Sequence, residues 1–266
     1  MLWNSFKNRF IKTENKAGLR SESAGLTDIG LRRSHNEDAI FLSDEAGLYL
    51  VADGMGGHAC GEVASAMAIE TVSEKFASPD REKPSFLLQE AIREANGRIF
   101  QYSREKIKPP EGTETLTGYG TMGTTIAALL LSGEAAWIAN VGDSRAYRLR
   151  DGRLELLTQD HTLAASLQPP DGKTPPPSLR SKFKHVLTRA LGVEAKVQID
   201  LREESIQPGD LFLLCSDGLT NMLPDAQIEK ILSSSFSTQS ACETLIKEAN
   251  RSGGRDNISC VLVRPR

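Results

Sequence analysis

The chain has 266 residues, of which 39% are hydrophobic and 25% charged, with a formal net charge of -3. This balance is typical of a globular protein with a full core, and it provides no basic surface for nucleic acid. No apolar run approaches the roughly 20 residues that a membrane span needs, so we expect no stable membrane insertion. The first residues alternate aromatic and basic side chains, which does not predict a secretory signal.

Hydrophobic periodicity predicts one α+β domain at 23–266 after a poorly ordered lead at 1–22. Strands follow one another as hairpins without β-α-β alternation, which predicts antiparallel sheets with helices packed outside them. The predicted strands are 39–42, 48–53, 124–131, 135–141, 145–150, 154–157, 197–202, 211–215 and 258–263. The predicted helices are 61–76, 84–106, 225–232 and 238–250.

A proline-rich excursion interrupts this rhythm at about 158–185. Five prolines fall between Pro169 and Pro177, and each would cost about 3 kcal/mol inside a helix. We therefore expect an extended surface flap rather than a regular element, with a turn at Asp171-Gly172.

Two apolar strands run directly into an Asp-Gly pair. The first ends at Asp53-Gly54 and the second at Asp217-Gly218, more than 160 residues later. Asp-Gly is also ordinary turn chemistry, so either copy alone would carry little weight. Two such strands favour a pair of carboxylates that converge on one site.

Further acidic residues lie at strand ends or tight turns beside Gly or Asn. Together with the first two, the set is Asp38, Asp53, Asp143, Asp217 and Asp256. No Cys or His accompanies them at ligand spacing, so the donors suit the hard cations Mg²⁺ and Mn²⁺. Uncompensated carboxylates at one place repel each other, and divalent cations would relieve that repulsion. For Asp143, capping of a turn is the alternative.

Seven short motifs in fixed order resemble the PP2C (PPM) family of metal-dependent protein serine/threonine phosphatases, in its bacterial form. The resemblance runs from about residue 24 to 264. The motifs are Arg33 with Asn36-Glu37-Asp38, VADGMGGH at 51–58, MGTT at 122–125, VGDSR at 141–145, LTRALG at 187–192, SDGL at 216–219 and GRDN at 254–257. The resemblance implies a sandwich of two antiparallel β-sheets flanked by α-helices on both sides.

The resemblance also implies a role for each acidic residue. Asp53 would bridge two Mn²⁺ or Mg²⁺ ions, and the Gly54 carbonyl would bind the second. Asp217 and Asp256 would complete the first ion, while Glu37 and Asp38 would act on the second, partly through water. Asp143 would match the ligand of a third, weaker ion.

Arg33 matches the arginine that holds the substrate phosphate, for which a planar, permanently charged guanidinium is well suited. A solvated surface arginine is the alternative. The resemblance implies no role in the reaction for Thr124, Thr125, Ser144 or residues 188–192, which we expect to be structural.

The histidines give no clear general acid. His35, His161 and His185 have no acidic or nucleophilic partner at informative spacing, so we expect surface or core positions. Eukaryotic family members have a histidine two residues after the bridging aspartate, where this chain has Met55, which cannot transfer a proton. His58 is the alternative donor.

The resemblance implies hydrolysis of phosphoserine and phosphothreonine in proteins by a metal-bridging hydroxide, with Arg33, Asp53 and Asp217 as catalytic residues. The expected partners are a bacterial serine/threonine kinase and its substrates, and the enzyme is expected to be monomeric. A cytoplasmic location is expected because the four cysteines form no C-x-x-C pair and are predicted to be reduced thiols. The alternatives are a phosphoprotein-binding module with little turnover and a metallophosphoesterase for small molecules.

Overall fold

The computed structural model describes residues 21–56, 60–77, 83–106, 122–167 and 182–266. Within these residues, two antiparallel sheets face each other and helices cover their outer faces. The strands are β1 (Ser21–Asp28), β2 (Asp38–Ser43), β3 (Leu48–Met55), β4 (Gly123–Thr124), β5 (Ile126–Ser132), β6 (Ala135–Val141), β7 (Arg145–Arg150), β8 (Arg153–Leu156), β9 (Asp200–Ser205), β10 (Leu211–Cys215) and β11 (Ile258–Pro265). The helices are α1 (Cys60–Lys75), α2 (Pro84–Lys106), α3 (Leu163–Ser166), α4 (Asp217–Thr220), α5 (Asp225–Ser234) and α6 (Thr238–Arg251).

The strand order confirms the predicted sandwich. One sheet has the order β1-β11-β10-β7-β8, and the other has the order β2-β3-β5-β6-β9 with β4 paired to β3. Neighbouring strands are antiparallel throughout both sheets. The chain passes between the sheets several times, once through only the three residues between β6 and β7, so each sheet contains strands from both halves of the chain.

Alternation along the central strands builds three apolar layers. In β3, Leu48 and Leu50 pack with the residues of α1 and α2, whereas Tyr49 and Val51 point into the layer between the sheets. Likewise, Leu214 of β10 lies between the sheets, and its neighbours on the strand pack under α5 and α6. Because side chains alternate faces with a period of two, a strand buried on both faces is apolar throughout, as both sequences are.

The structure corrects three predicted boundaries. β1 has the polar sequence SESAGLTD and was not predicted, yet all eight residues pair with β11. Two residues of the expected lead therefore belong to the sheet. The predicted strand at 124–131 is broken at Thr125, and the one at 197–202 is displaced to Asp200–Ser205, where it pairs with β6.

Several predictions fall on residues outside the described ranges. The proline-rich stretch between Pro169 and Pro177, His58 and residues 1–20 all lie there. At the described margin of the flap, α3 begins after Thr162, whose side chain accepts a hydrogen bond from the Ala165 N–H.

The four longer helices lie within two residues of their predicted bounds, whereas the short helices α3 and α4 were not predicted. No helix among the described residues is long and apolar enough to cross a membrane. All four cysteines are described, and none of them forms a disulfide bond.

Candidate metal centre

The first two acidic residues lie opposite each other at one end of the six-stranded sheet. Asp38 opens β2 and is paired in register with Asp53 of β3. The Asp53 backbone is fixed by Thr125, whose N–H donates to its carbonyl at 2.9 Å and whose hydroxyl accepts its N–H at 3.0 Å. Like charges directly opposite each other on neighbouring strands are unfavourable. The pairing of Asp38 with Asp53 therefore destabilises the metal-free protein.

Two glycines let the segment containing Glu37 lie against the start of α1. A Cβ on Gly54 would lie 2.1 Å from the Gly61 carbonyl oxygen and 2.6 Å from that of Glu37. The Gly54 N–H donates to the Glu37 carbonyl at 3.1 Å, and the Ser65 hydroxyl donates to the same carbonyl at 2.6 Å. These contacts fix Glu37 beside the end of β3, so any residue other than glycine at 54 would force the segments apart.

The other sheet contributes Asp217 and Asp256. Asp217 opens the short helix α4 directly after β10, and its Oδ2 accepts a hydrogen bond from the Asn221 side chain at 2.9 Å. Asp256 precedes β11 and accepts a hydrogen bond from the Arg33 guanidinium at 2.8 Å. A Cβ on Gly218 would lie only 1.9 Å from the Asn257 carbonyl oxygen, so the two turns are in direct contact.

Asn257 forms hydrogen bonds to the segment between β1 and β2, which contains Arg33, and so connects that segment to the turn of Asp256. The sequence did not reveal this role. The Asn257 side-chain oxygen accepts the Glu37 N–H at 2.8 Å, and its amide donates to the carbonyls of Ile29 at 3.0 Å and His35 at 2.9 Å. The sequence feature that could have indicated this role is an asparagine between an aspartate and an apolar strand. Because Asn257 is 4% exposed, these bonds are shielded from water.

Asp143 is held by the turn that follows β6. Gly142 in this turn has a φ of +106°, and its N–H donates to Nδ1 of His161 at 3.0 Å. The backbone N–H of His161 in turn donates to the Gly142 carbonyl at 2.9 Å. His161 is thus a core residue, as expected, but it has an acidic partner that its spacing did not predict, since its Nε2 lies 3.1 Å from Asp200.

Mutual repulsion and burial shift the pKa values of these carboxyl groups upward. Burial raises the pKa of Asp53 well above its ordinary value, and the charges of Asp38, Asp217, Asp143 and Asp256 raise it further. Burial also raises the pKa of Asp143 to about 7, with added contributions from the charges of Asp217 and Asp160. Buried carboxylates that repel one another in this way would be stabilised as anions by a bound cation.

Asp38 and Glu37 follow the same trend. Burial raises the pKa of Asp38 to about 7. The charges of Asp217 and Asp256 also raise this pKa, whereas the hydrogen bonds from Ser259 and Ser216 lower it. Burial likewise raises the pKa of Glu37, although the Arg33 charge opposes the change. Four of the predicted acidic residues therefore favour a bound cation.

A cavity of about 820 Å³ brings nearly all of the predicted site together. The predicted residues among its lining are Arg33, Glu37, Asp53, Gly54, Asp143, Asp217 and Asp256. Asp38 is buried behind the cavity at 8% exposure. Thr125, expected to be structural, also reaches the lining, as do residues 188–190.

The wall facing the acidic residues comes from the return of the flap and the segment before β9. His185 lies on this wall with its Nδ1 3.4 Å from Oδ2 of Asp217, a contact that the sequence did not predict. Lys196 and Gln198 also line it. The acidic residues of the cavity are therefore accompanied by the basic side chains of Arg33, His185, Arg189 and Lys196.

The oxygen atoms of the site are better suited to a hard cation that keeps some of its water ligands than to a cation whose ligands all come from the protein. Among the described residues, no three Asp, Glu, His or Cys side chains close around one point to hold a metal ion. The available donors are carboxylate and carbonyl oxygens, and Oδ1 of Asp38 is buried without a hydrogen-bond partner in the described structure. Mg²⁺ and similar ions keep several waters and need only a few carboxylates, so the spread of these acids is suitable for such ions.

In comparisons with known proteins, the part of the chain that lines the cavity matches one protein family. The sequence profile of protein phosphatase 2C matches residues 32–260. A serine/threonine phosphatase stp of Listeria monocytogenes is 40% identical over 244 residues, covering 89% of this chain and 93% of the relative. The protein phosphatase PhpP of Streptococcus pneumoniae is 32% identical over 241 residues, covering 90% of this chain and 95% of the relative.

Solved structures give the same family. The crystal structure of the Mycobacterium tuberculosis serine/threonine phosphatase PstP/Ppp matches with a TM-score of 0.80 at 32% identity, covering 92% of this chain and 98% of that one. A structure of the catalytic domain of PstP in complex with two manganese ions matches with a TM-score of 0.78 at 33% identity, covering 93% of this chain and 99% of that one.

Proposed function

Because the chain belongs to the protein phosphatase 2C family, we propose that it removes phosphate from phosphoserine and phosphothreonine side chains of proteins with the help of divalent cations. The observation that carries this proposal is a cavity in which carboxylates of both sheets lie beside Arg33. Family membership supports the reaction class, and the manganese-containing PstP structure supports the type of cation.

Asp53, Asp217 and Asp256 are the proposed principal ligands. They come from β3, from α4 after β10 and from the turn before β11, so the cations would join the two sheets. Glu37, Asp38 and the Gly54 carbonyl would complete the second ion, partly through water, and Asp143 would bind a third. When bound, two such cations supply an activated water nucleophile and neutralise the charge of the phosphoryl group. Mn²⁺ and Mg²⁺ both suit these oxygens.

Arg33 is the proposed phosphate-binding residue. Its side chain lies at the cavity mouth and is 48% exposed, so an incoming phosphate reaches it without rearrangement of the core. Burial lowers the pKa of Arg33, but the charges of Asp256, Glu37 and Asp53 raise it more, and the guanidinium stays charged. Its planar fork would bind two phosphate oxygens and orient the phosphoryl group beside the acidic residues.

The proposed substrates are phosphoproteins, and the proposed counterpart is a bacterial serine/threonine kinase. The open mouth beside Arg33 and the flap margin at His185 leave room for a protein side chain with its backbone. We further propose one phosphatase domain at 23–266 that acts as a monomer. Four cysteines without a disulfide bond support a reducing compartment such as the cytoplasm.

The test compares hydrolysis of phosphothreonine, phosphoserine and phosphotyrosine peptides with that of para-nitrophenyl phosphate and a nucleotide. With Mn²⁺, the first two peptides should be hydrolysed with the highest kcat/KM, and chelator should abolish all activity. Asp53→Asn and Asp217→Asn should lower kcat by orders of magnitude, whereas Asp151→Asn, at an exposed hairpin turn, is the matched control. Preference for the nucleotide would favour a small-molecule esterase, and binding of phosphopeptide without turnover would favour a recognition module.

A further inference from the structure

The core between the sheets becomes polar at the end where the site lies. Along β10 and β11, the residues that face the other sheet are apolar, as at Leu214 and Val261. The next positions of the same face toward the site are Ser216 and Ser259, both completely buried. A buried hydroxyl needs a hydrogen-bond partner, so two adjacent serines at this position require an acceptor.

That acceptor is one oxygen of Asp38. The Ser216 hydroxyl donates to Oδ2 of Asp38 at 2.7 Å, and the Ser259 hydroxyl donates to the same oxygen at 2.6 Å. The other oxygen, Oδ1, is buried and has no hydrogen-bond partner among the described residues. The two oxygens of one carboxylate are thus in different environments.

The surrounding hydrogen bonds fix which way each hydroxyl points. Ser216 Oγ accepts the Ser259 N–H at 3.0 Å, so its single proton is free for Asp38. Oγ of Ser259 lies 2.8 Å from Oγ1 of Thr27, and Thr27 accepts the Asn36 side-chain amide at 2.8 Å. The Ser259 hydroxyl is the donor toward both Thr27 and Asp38. Because it has one proton, the shorter, charge-assisted contact with Asp38 is its main hydrogen bond.

We propose that Ser216 and Ser259 are positioning residues that bind Oδ2 of Asp38 and thereby reserve Oδ1 for the metal centre. The inference rests on the proposed function only in taking Asp38 as part of that centre. Two donors on Oδ2 fix the rotation of the carboxylate, so Oδ1 points away from both serines, and Asp53 is the register partner of Asp38 on β3. Without the serines, the carboxylate could rotate and meet the cation, or a water bound to it, less favourably.

The test is calorimetric titration of the metal-free protein with Mn²⁺, which needs no turnover. Ser259→Ala and Ser216→Ala should each weaken Mn²⁺ binding by roughly tenfold, the lower end of the range for residues that orient metal ligands. Ser103→Ala is the control, because Ser103 is equally a buried serine, at 4% exposure, but bonds the Met122 N–H outside the acidic cluster. Its Mn²⁺ affinity should equal that of the wild type.

A double-mutant cycle separates positioning from a general effect on the fold. In an Asp38→Ala background, Ser259→Ala should cause no further loss of Mn²⁺ affinity, because the carboxylate on which it acts is gone. An equal loss in both backgrounds would show that the serine supports the fold instead, and an unchanged affinity in the wild-type background would also overturn the inference.

Ser259→Cys covers the case in which Ser259→Ala does not fold, since the somewhat larger thiol still fills the position of the hydroxyl but is a weak donor. It should bind Mn²⁺ as weakly as the alanine variant, and wild-type affinity would contradict the proposal. Wild-type protein that binds Mn²⁺ but hydrolyses no phosphopeptide would refute the proposed function without affecting this cycle.

Discussion

Arg33 and Asp256 form an ion pair across 223 residues of sequence, with Nη2 of the arginine 2.8 Å from Oδ2 of the aspartate. The pair is set by the backbone, because the Leu31 N–H donates to the Gly254 carbonyl at 2.7 Å. Gly30 has a φ of +77°, and a Cβ there would lie 2.2 Å from the Asp256 carbonyl oxygen. Arg33, the proposed phosphate-binding residue, is therefore paired with Asp256, a proposed metal ligand. A cation bound to Asp256 would replace the guanidinium there and leave it available for phosphate.

This pairing makes two predictions for Arg33→Ala. Loss of the charge-assisted hydrogen bonds, worth about 1.5–3 kcal/mol, should lower kcat/KM by roughly tenfold to hundredfold, chiefly through KM because most of the contact exists in the ground state. Metal-free Arg33→Ala should also bind Mn²⁺ more tightly, since Asp256 no longer has a competing cation. Steady-state kinetics and calorimetry measure the two effects.

Arg32→Ala is the matched control for that variant, because it removes the same charge from the neighbouring, exposed position. It should leave both quantities close to the wild-type values. If Arg32→Ala and Arg33→Ala behave alike, the effect is one of net charge and the specific pairing is not responsible.

The raised pKa of Asp143 predicts a pH-dependent stability difference in the metal-free protein. Its folded-state pKa is about 7, whereas the unfolded-state value is about 3.9. The folded state holds the proton more tightly, so stability is greatest below about pH 4 and is lost as the pH rises through about 7. Asp143→Asn removes this loss. In chelator, the variant should melt at a higher temperature than the wild type at pH 8, and the difference should shrink toward pH 5.

Addition of Mn²⁺ at pH 8 should reverse that order. A cation at Asp143 would supply the missing counter-charge and stabilise the wild type by mass action, but it would have a weaker site in Asp143→Asn. Thermal midpoints followed by circular dichroism give all four values. A variant that is less stable than the wild type at pH 8 in chelator would contradict the electrostatic account.

Asn257→Ala should damage stability and activity together. The substitution leaves the Glu37 N–H and the carbonyls of Ile29 and His35 without their partners in a site that is shielded from water. Leaving such groups unpaired costs about 2–4 kcal/mol in total. Chemical denaturation should show this loss of unfolding free energy, and kcat/KM should fall because Glu37 is no longer fixed. Full stability would show that water replaces the amide.

The sequence was most informative where one strand determines a residue's position. Asp53 and Asp217 follow strands that are buried on both faces, and such strands are recognisable from their unbroken apolar runs. The hairpin that pairs Asp38 with Asp53 was equally local, because its turn and both strands lie within 20 residues. For these positions, the predicted and observed surroundings agree.

Prediction failed where a partner distant in the chain decides the structure. β1 is polar and becomes a strand only because β11 pairs with it along its whole length. The contact of His185 with Asp217 depends on how the flap returns to the cavity, which no local pattern encodes. The serine pair on Asp38 joins residues 178 and 221 positions away from it, and serines in strands are otherwise common on surfaces.

The proline-rich stretch lies outside the described residues, but the chain that follows it returns to the cavity. His185 and Leu187, eight and ten residues after Pro177, line the cavity, whereas every proposed metal ligand lies elsewhere in the chain. Because loops on a rigid scaffold commonly select substrates, replacing 168–177 by a Gly/Ser linker should leave kcat/KM for para-nitrophenyl phosphate within a few-fold of the wild type. The same change should alter the ranking of two unrelated phosphoproteins as substrates. A parallel fall for all three substrates would mean that the stretch supports the metal centre or the fold, and three unchanged values would mean that it takes no part in substrate selection.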